Sequence, residues 1–329
     1  MLLVGDIGGT NTRLALFKDD ASEIVREEVY PSASYSSLSA AIDVFLGPKA
    51  GKRPRLRAAT FGIAGPVVDG RVRTTNLPWL VDSRALARQL GLKKVLLVND
   101  LVAMALGAVA AKKKDLALLH GSRAPRPTGG SIVVIAAGTG LGEAALIWDG
   151  ERLVPCGTEG GHADFAPRTE VEWELHEFIA KRVGGHVSYE RVLSGPGIGT
   201  IYDFLTQVRG VRENAAAAKA LATAKDRNAT ITQLGSVKAS KACTQALTLF
   251  ASLYGAEAGN LALKYLAVGG VFLAGKIAAS ILPALEESFV PAFVDKGRFR
   301  PLLSKVPVAV VKSSSIGLHG SARHAAGLT

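Results

Sequence analysis

Val4-Gly5-Asp6-Ile7-Gly8-Gly9 lies over Val134-Ile135-Ala136-Ala137-Gly138-Thr139 when the chain is slid on itself by 130 residues. The same shift sets Ala15-Leu16 over Ala145-Leu146. Each copy reads as an apolar strand, a Gly/Thr turn and a returning strand. Two such hairpins, each opening a domain-sized stretch, point to a duplicated domain with a cleft between the copies.

Outward from the hairpins, predicted strands and helices alternate. In the first half, strands fall at 2–6, 13–17, 58–63 and 95–98. Helices fall at 38–46, at 83–90 with Ser83 or Asp82 as cap and Gly91 as stop, and at 101–111. The basic, Pro- and Gly-containing segment 112–130 reads as the first domain junction. Beyond it, strands are predicted at 131–137 and 143–148. Helix formers dominate 170–182 and 214–259, with breaks expected at Gly235 and Gly255. A glycine-bracketed strand at 268–274 leads to a helix from Ile277. The last strand, 308–312, precedes a Ser-rich turn and a short helix. The fold class is α/β.

Composition bounds the function. The 329 residues suggest about two domains at roughly 150 residues each. Hydrophobic residues at 48% and charged residues at 20% exclude a disordered chain. Only two cysteines, Cys156 and Cys243, exclude a disulfide scaffold and fit a reducing compartment. The opening MLLVGDIGG lacks a basic leader, and no apolar run reaches the 18 or so residues that span a bilayer. A soluble, cytoplasmic protein without a membrane partner is expected.

The net charge of +11 invites a nucleic-acid reading. Yet the cations are dispersed in short runs, such as Lys52, Arg53, Arg55 and Arg57, or Lys112 to Lys114. No aromatics interleave them and no helix-turn-helix or RNA-binding signature occurs, so solvated faces are the simpler reading. No nucleic-acid partner is expected.

The chemistry points to phosphate and sugar. In a Gly/Thr turn, backbone N–H groups approach an anion without a Cβ in the way, and threonine adds a hydroxyl. Asp6, ending its strand, suits Mg²⁺ held directly or through water. Gly270 to Lys276 matches seven places of a Walker A loop, but Ile277 stands where its Ser/Thr belongs and the centre reads as a buried strand. Gly138-Thr139-Gly140-Leu141-Gly142 is followed by a strand where a dinucleotide fold needs a helix. Asn99-Asp100 follows a strand, where groups face the ligand in open α/β sheets; the plainer reading is a helix cap. Glu159, His162 and Glu190 add the paired acceptors and donors that hold an uncharged hydroxyl-rich ligand. No Cys or His lies at zinc spacing from His162, and His319 and His324 read as structural or surface residues.

Seven blocks carry a resemblance: LVGDIGGTN at 3–11, TNLPW at 75–79, VND at 98–100, AAGTGLGEA at 136–144, EGGHADFAP at 159–167, ERVLSGPG at 190–197 and GGVFLAG at 269–275. In this order they resemble the bacterial-type glucokinases, ATP-dependent hexose kinases of the actin and hexokinase superfamily. The resemblance implies duplicated ribonuclease H-like, actin-like ATPase domains. A small domain would comprise residues 1–111 and about 303–329, and a large one residues 112–302. Gly5, Asp6, Ile7, Gly8, Gly9 and Thr10, with Gly138, Thr139 and Gly140, would hold the phosphates of Mg-ATP. Gly270 and Gly275 would border the adenosine. Asn99, Asp100, Glu159, His162 and Glu190 would bind D-glucose, with Asp100 as the base, in a homodimer.

Two departures matter. Lys276 stands where such kinases often carry a second glycine. The cysteine cluster and DNA-binding module of the related repressor–kinases are absent from this sequence. Beside glucose phosphorylation, two alternatives stay open: a kinase using another hexose or polyphosphate, and a sugar-sensing regulator that binds without turnover.

Overall fold

The apolar pattern of the N-terminal residues sets up a two-faced sheet. In the computed structural model, which describes residues 1–48, 53–74, 77–127 and 129–327, Leu2 and Val4 pack on one face with Ala15 and Phe17. Leu3, Ile7, Leu14 and Leu16 pack on the other. Lys52, Thr75, Asn76 and Thr128, which fall in segments singled out above, lie outside the described residues.

The chain opens with β1 (Leu2–Ile7), β2 (Asn11–Phe17) and β3 (Ile24–Pro31). It continues with α1 (Leu38–Leu46), β4 (Ala58–Ile63), β5 (Arg71–Arg73) and β6 (Leu80–Asp82). Next come α2 (Ser83–Leu90), β7 (Val95–Asn99) and α3 (Asp100–Val109). β8 (Leu116–His120), β9 (Ile132–Ala137), β10 (Leu141–Trp148) and β11 (Leu153–Thr158) follow. The helical stretch comprises α4 (Glu170–Val183), α5 (Gly195–Gln207), α6 (Ala215–Ala222), α7 (Arg227–Ser236) and α8 (Lys241–Lys264). β12 (Gly270–Ala274), α9 (Gly275–Ser280), α10 (Leu282–Val294), α11 (Arg300–Leu303), β13 (Val308–Val311) and α12 (Ile316–Ala326) complete the chain.

The first sheet runs β3-β2-β1-β4-β7, the second β11-β10-β9-β12-β13-β8. In both, a first strand (β1 or β9) lies between its hairpin return and a parallel neighbour (β4 or β12). The strand order is therefore duplicated, as the repeat predicts, and the second sheet carries β8 as an extra antiparallel edge on β13. By contacts the chain divides into two compact units. Unit 1 comprises Met1–Lys112, Ala144–Thr158 and Ser313–Thr329; unit 2 comprises Lys113–Glu143 and Glu159–Lys312.

In unit 1 the C-terminal helix α12 closes the Leu2/Val4 face with Leu318 and Ala322, both fully buried. Its approach to α3 depends on glycine: a Cβ on Gly320 would stand 1.8 Å from the Ala103 carbonyl oxygen. In unit 2 the long α8 lies along α10, and it runs through Gly255. The expected break at Gly255 is thus corrected. A Cβ there would meet the Phe289 carbonyl oxygen at 2.1 Å, so glycine serves helix contact and not helix ending. Gly235 falls in the last turn of α7, which ends one residue later at Ser236. Within the segment 112–130, β8 forms and pairs with β13.

Candidate active site

Three parallel strands of unit 1 end side by side. Asp6 of β1 is in register with Gly62 of β4, and Gly62 with Val98 of β7. Two strand spacings therefore separate Asp6 from the Val98-Asn99-Asp100 corner, roughly 10 Å. Asp6 lies on the Leu2/Val4 face, where Gly317 of α12 leaves room: a Cβ there would come within 3.8 Å of its carboxylate. Burial raises the Asp6 pKa above the ordinary carboxylate value, and the charge of Arg13 opposes this. Arg13 is the hairpin partner of Asp6 across β1 and β2. Counting outward from Gly8-Gly9 would have found it.

The first turn is closed by Gly8 N–H donating to the Asn11 carbonyl at 3.0 Å. Ser32 pins it from the side: its Oγ donates to the Gly8 carbonyl at 2.9 Å and its N–H to the Thr10 carbonyl at 2.9 Å. Nothing in the local sequence singles out Ser32, which comes from the end of β3, more than twenty residues on. Thr10 at the tip is exposed. Gly5 has a packing reason to be glycine, because a Cβ would sit 2.8 Å from Phe61 Cδ1.

Asn99 and Asp100 begin α3. Asn99 is its N-cap, with Oδ1 accepting from Leu101 N–H at 2.9 Å and Nδ2 donating to the Gly65 carbonyl at 3.3 Å. Asp100 Oδ1 also accepts from Leu101 N–H, at 3.0 Å. The cap role is therefore realised, and it fixes both side chains at the strand end. Gly157 of β11 packs close by, since its Cβ would lie 3.3 Å from Asn99 Cβ.

Unit 2 gathers the other candidates around Leu141. Gly138 N–H donates to the Gly140 carbonyl at 2.8 Å, closing the second turn as Gly8 closes the first. Glu190 Oε2 accepts from Leu141 N–H at 2.9 Å, and a Cβ on Gly140 would collide with that oxygen at 2.3 Å. The 3-10 turn Gly160–His162, capped by Glu159, packs on the same residue, because a Gly161 Cβ would meet the Leu141 carbonyl oxygen at 2.1 Å. Tyr189 N–H donates to the Ala163 carbonyl at 3.0 Å, tying the Glu190 turn to the His162 turn. Glu159 and His162 are exposed and Glu190 is half-buried.

The same turn meets two helix starts. Gly195 N–H donates to the Gly138 carbonyl at 2.8 Å, and a Cβ on Gly275 would stand 2.8 Å from the Ala137 carbonyl oxygen. Gly275 has a φ of +86°, as the strand-to-helix corner requires. Gly270, at φ +128°, lies against Pro125 and starts a wholly buried β12, which removes the Walker A reading. A cavity of about 300 Å³ opens beside the turn, lined in part by Thr139, Arg182, Glu190, Arg191, Ser194 and Thr200. That volume is at the low end for small-molecule sites.

Among the described residues no group of three or more His, Cys, Asp or Glu is placed to hold a metal. Asp6 nevertheless fits Mg²⁺, which takes one or two carboxylates and completes its shell with substrate phosphates and water. A buried carboxylate with a raised pKa is stabilised by such a cation. No described helix is long and apolar enough to cross a membrane. His319 is structural, its ring edge-on to Phe17 at 5.2 Å.

Comparisons with known proteins show the family and the fold. A sequence-family model described as Glucokinase matches residues 3–328. The glucokinase of Nostoc sp. is 40% identical, with 100% of this chain and 99% of that protein covered. The crystal structure of a glucokinase from an Antarctic psychrotroph superposes with a TM-score of 0.80 at 31% identity, covering 99% of this chain and 98% of that one. A glucokinase of the ROK family from Streptomyces griseus, solved with glucose and AMPPNP, shares the fold at a TM-score of 0.68 and 18% identity, covering 98% and 99%.

Proposed function

The chain belongs to the glucokinase family of ATP-dependent hexose kinases, and from that premise we propose that it phosphorylates D-glucose on its 6-hydroxyl. The products are glucose 6-phosphate and ADP. The observation that carries this reading is the clustering of Glu159, His162 and Glu190 around Leu141, next to the Thr139 turn. It supports reading these residues as sugar contacts beside a phosphate-holding turn on one unit.

In the proposed reaction Asp100 accepts the proton of the 6-hydroxyl as that oxygen attacks the γ-phosphorus in line and ADP departs. Asn99, Glu159, His162 and Glu190 hold the remaining sugar hydroxyls. Because Gly8 and Gly138 N–H groups close their own turns, the tips carry the phosphate contacts: Gly9 and Thr10 in one, Thr139 and Gly140 in the other. Mg²⁺ held by Asp6 would neutralise charge on the phosphates. Gly270 and Gly275 border the adenosine. We take the functional small domain as residues 1–111 with about 303–329, and the large one as 112–302. A cytoplasmic homodimer opening glycolysis completes the reading.

An ADP-coupled assay across sugars and phosphoryl donors tests it. Glucose with ATP is expected to give the highest kcat/KM. A tenfold preference for another hexose or for polyphosphate overturns the substrate assignment, and sugar binding without turnover overturns the enzyme assignment.

A further inference from the structure

The opposite end of the first sheet, where β1, β4 and β7 begin, holds a concavity that the reaction above does not use. Its volume is about 680 Å³, within the range of small-molecule sites. Two loops that precede β4 and β7 bring four cations to it: Arg55 and Arg57 from one, Lys93 and Lys94 from the other. The opposing carboxylate is Asp19, which is already engaged by the Met1 ammonium at 2.8 Å and by Arg57 Nε at 3.6 Å. Among the described residues, Arg55, Lys93 and Lys94 have no carboxylate within ion-pair distance. The positive field extends beyond the rim, because Lys94 adds to the burial that pushes the His324 pKa down. The floor is apolar, with Leu56, Leu92 and Leu96.

Cations drawn together from separate loops repel one another unless a counter-charge sits between them. Arg and Lys are the side chains that hold phosphate, Arg by a two-pronged contact. An apolar floor beneath them suits a flat, uncharged ring. We propose that this concavity binds a nucleoside di- or triphosphate, with the phosphates on the Arg55, Arg57, Lys93 and Lys94 side and the base on the leucine floor. The site lies within unit 1 and stands independently of the catalytic reading.

The probes are ADP and tripolyphosphate, titrated into the full-length protein by calorimetry at low and high salt. The wild type is expected to take one more equivalent of ADP than Lys93→Glu/Lys94→Glu, with affinity for that equivalent falling as salt rises. Lys93→Gln/Lys94→Gln should weaken it at least tenfold, and unchanged saturated turnover in both variants shows that they fold. Equal stoichiometry in wild type and variants, with affinities within threefold, overturns the site. Displacement of that equivalent by tripolyphosphate as readily as by ADP overturns the nucleoside assignment.

Discussion

The two sheets share a strand order but differ in where they keep charge. At the end of β1 stands Asp6, whereas the matching place in β9 is Ala136, and the turn beyond it holds Thr139. Unit 1 thus offers a carboxylate at its strand end and unit 2 a hydroxyl. In the interior the contrast reverses. The buried polar residues of unit 1 include Thr12, Ser32, Thr60 and Ser321, all uncharged. Unit 2 buries Glu143, Glu172 and Glu257. Glu257 accepts from Asn260 Nδ2 at 2.8 Å and faces Lys264 at 3.5 Å, and Lys296 donates to Asn260 Oδ1 at 2.5 Å. A duplicated scaffold has put ionisable chemistry at a strand end in one copy and among the core helices of the other.

The largest expected effect tests the strand ends of unit 1. Asp100→Asn should lose at least about 10²-fold in turnover, the low end for a general base. Turnover within threefold of wild type in the coupled assay removes Asp100 from that role. Next come the helix contacts, which are alike in the two units. Gly320→Ala in unit 1 and Gly255→Ala in unit 2 should each cost about 2 kcal/mol, because the added methyl meets a carbonyl oxygen. Urea unfolding measures this. A stabilised Gly255→Ala, as helix propensity alone predicts, would break the parallel.

The core of unit 2 should make stability depend on pH. Burial first, and the Glu257 charge second, push the Glu143 carboxyl up to about 8 against the opposing charge of Lys264. Between the ordinary value near 4.5 and about 8, the folded chain keeps a proton that the unfolded chain releases. Stability therefore falls as pH rises through that window. Glu143→Gln should flatten the fall, so that its stability relative to wild type rises by about 4 kcal/mol between pH 4.5 and pH 8. Parallel pH profiles for variant and wild type would refute the assignment. The smallest effect concerns the second turn. A Cβ on Gly138 meets nothing within 4 Å, so Gly138→Ala should leave the melting temperature unchanged. It should raise the KM for ATP about threefold, roughly 0.7 kcal/mol, because the added methyl crowds phosphates held at the Thr139 and Gly140 tip. An unchanged KM would detach the second turn from the nucleotide.

Much of the first unit was legible because its signals are local. The helix Leu38–Leu46 has apolar residues at helical spacing, Ser37 as cap and Gly47 as stop. The helix Ser83–Leu90 is capped by Asp82 and ended by Gly91 at φ +65°. β3 escapes such reading: Arg26, Glu27 and Glu28 run consecutively along an exposed edge strand. α5 escapes because Gly195-Pro196-Gly197 reads as a turn. It is a helix because Ser194 Oγ accepts from Gly197 N–H at 3.1 Å, and because Gly197 alone fits against the Val192 carbonyl oxygen. In the candidate site, the Gly/Thr turns are contiguous and therefore visible. The bond from Leu141 to Glu190 spans 49 residues and no local pattern encodes it.

The return of α12 to the Leu2/Val4 face sets a timetable. Roughly 200 residues separate Lys112, which ends the first of the three segments of unit 1, from Ser313, which begins the last. At the ribosome's 5–20 residues per second, that gap lasts about 10–40 s. During it Leu2, Val4, Ala15 and Phe17 have no Leu318 or Ala322 to cover them. The first unit to be synthesised is the last to be finished, and a nascent chain carries an apolar strip that invites chaperones throughout its growth.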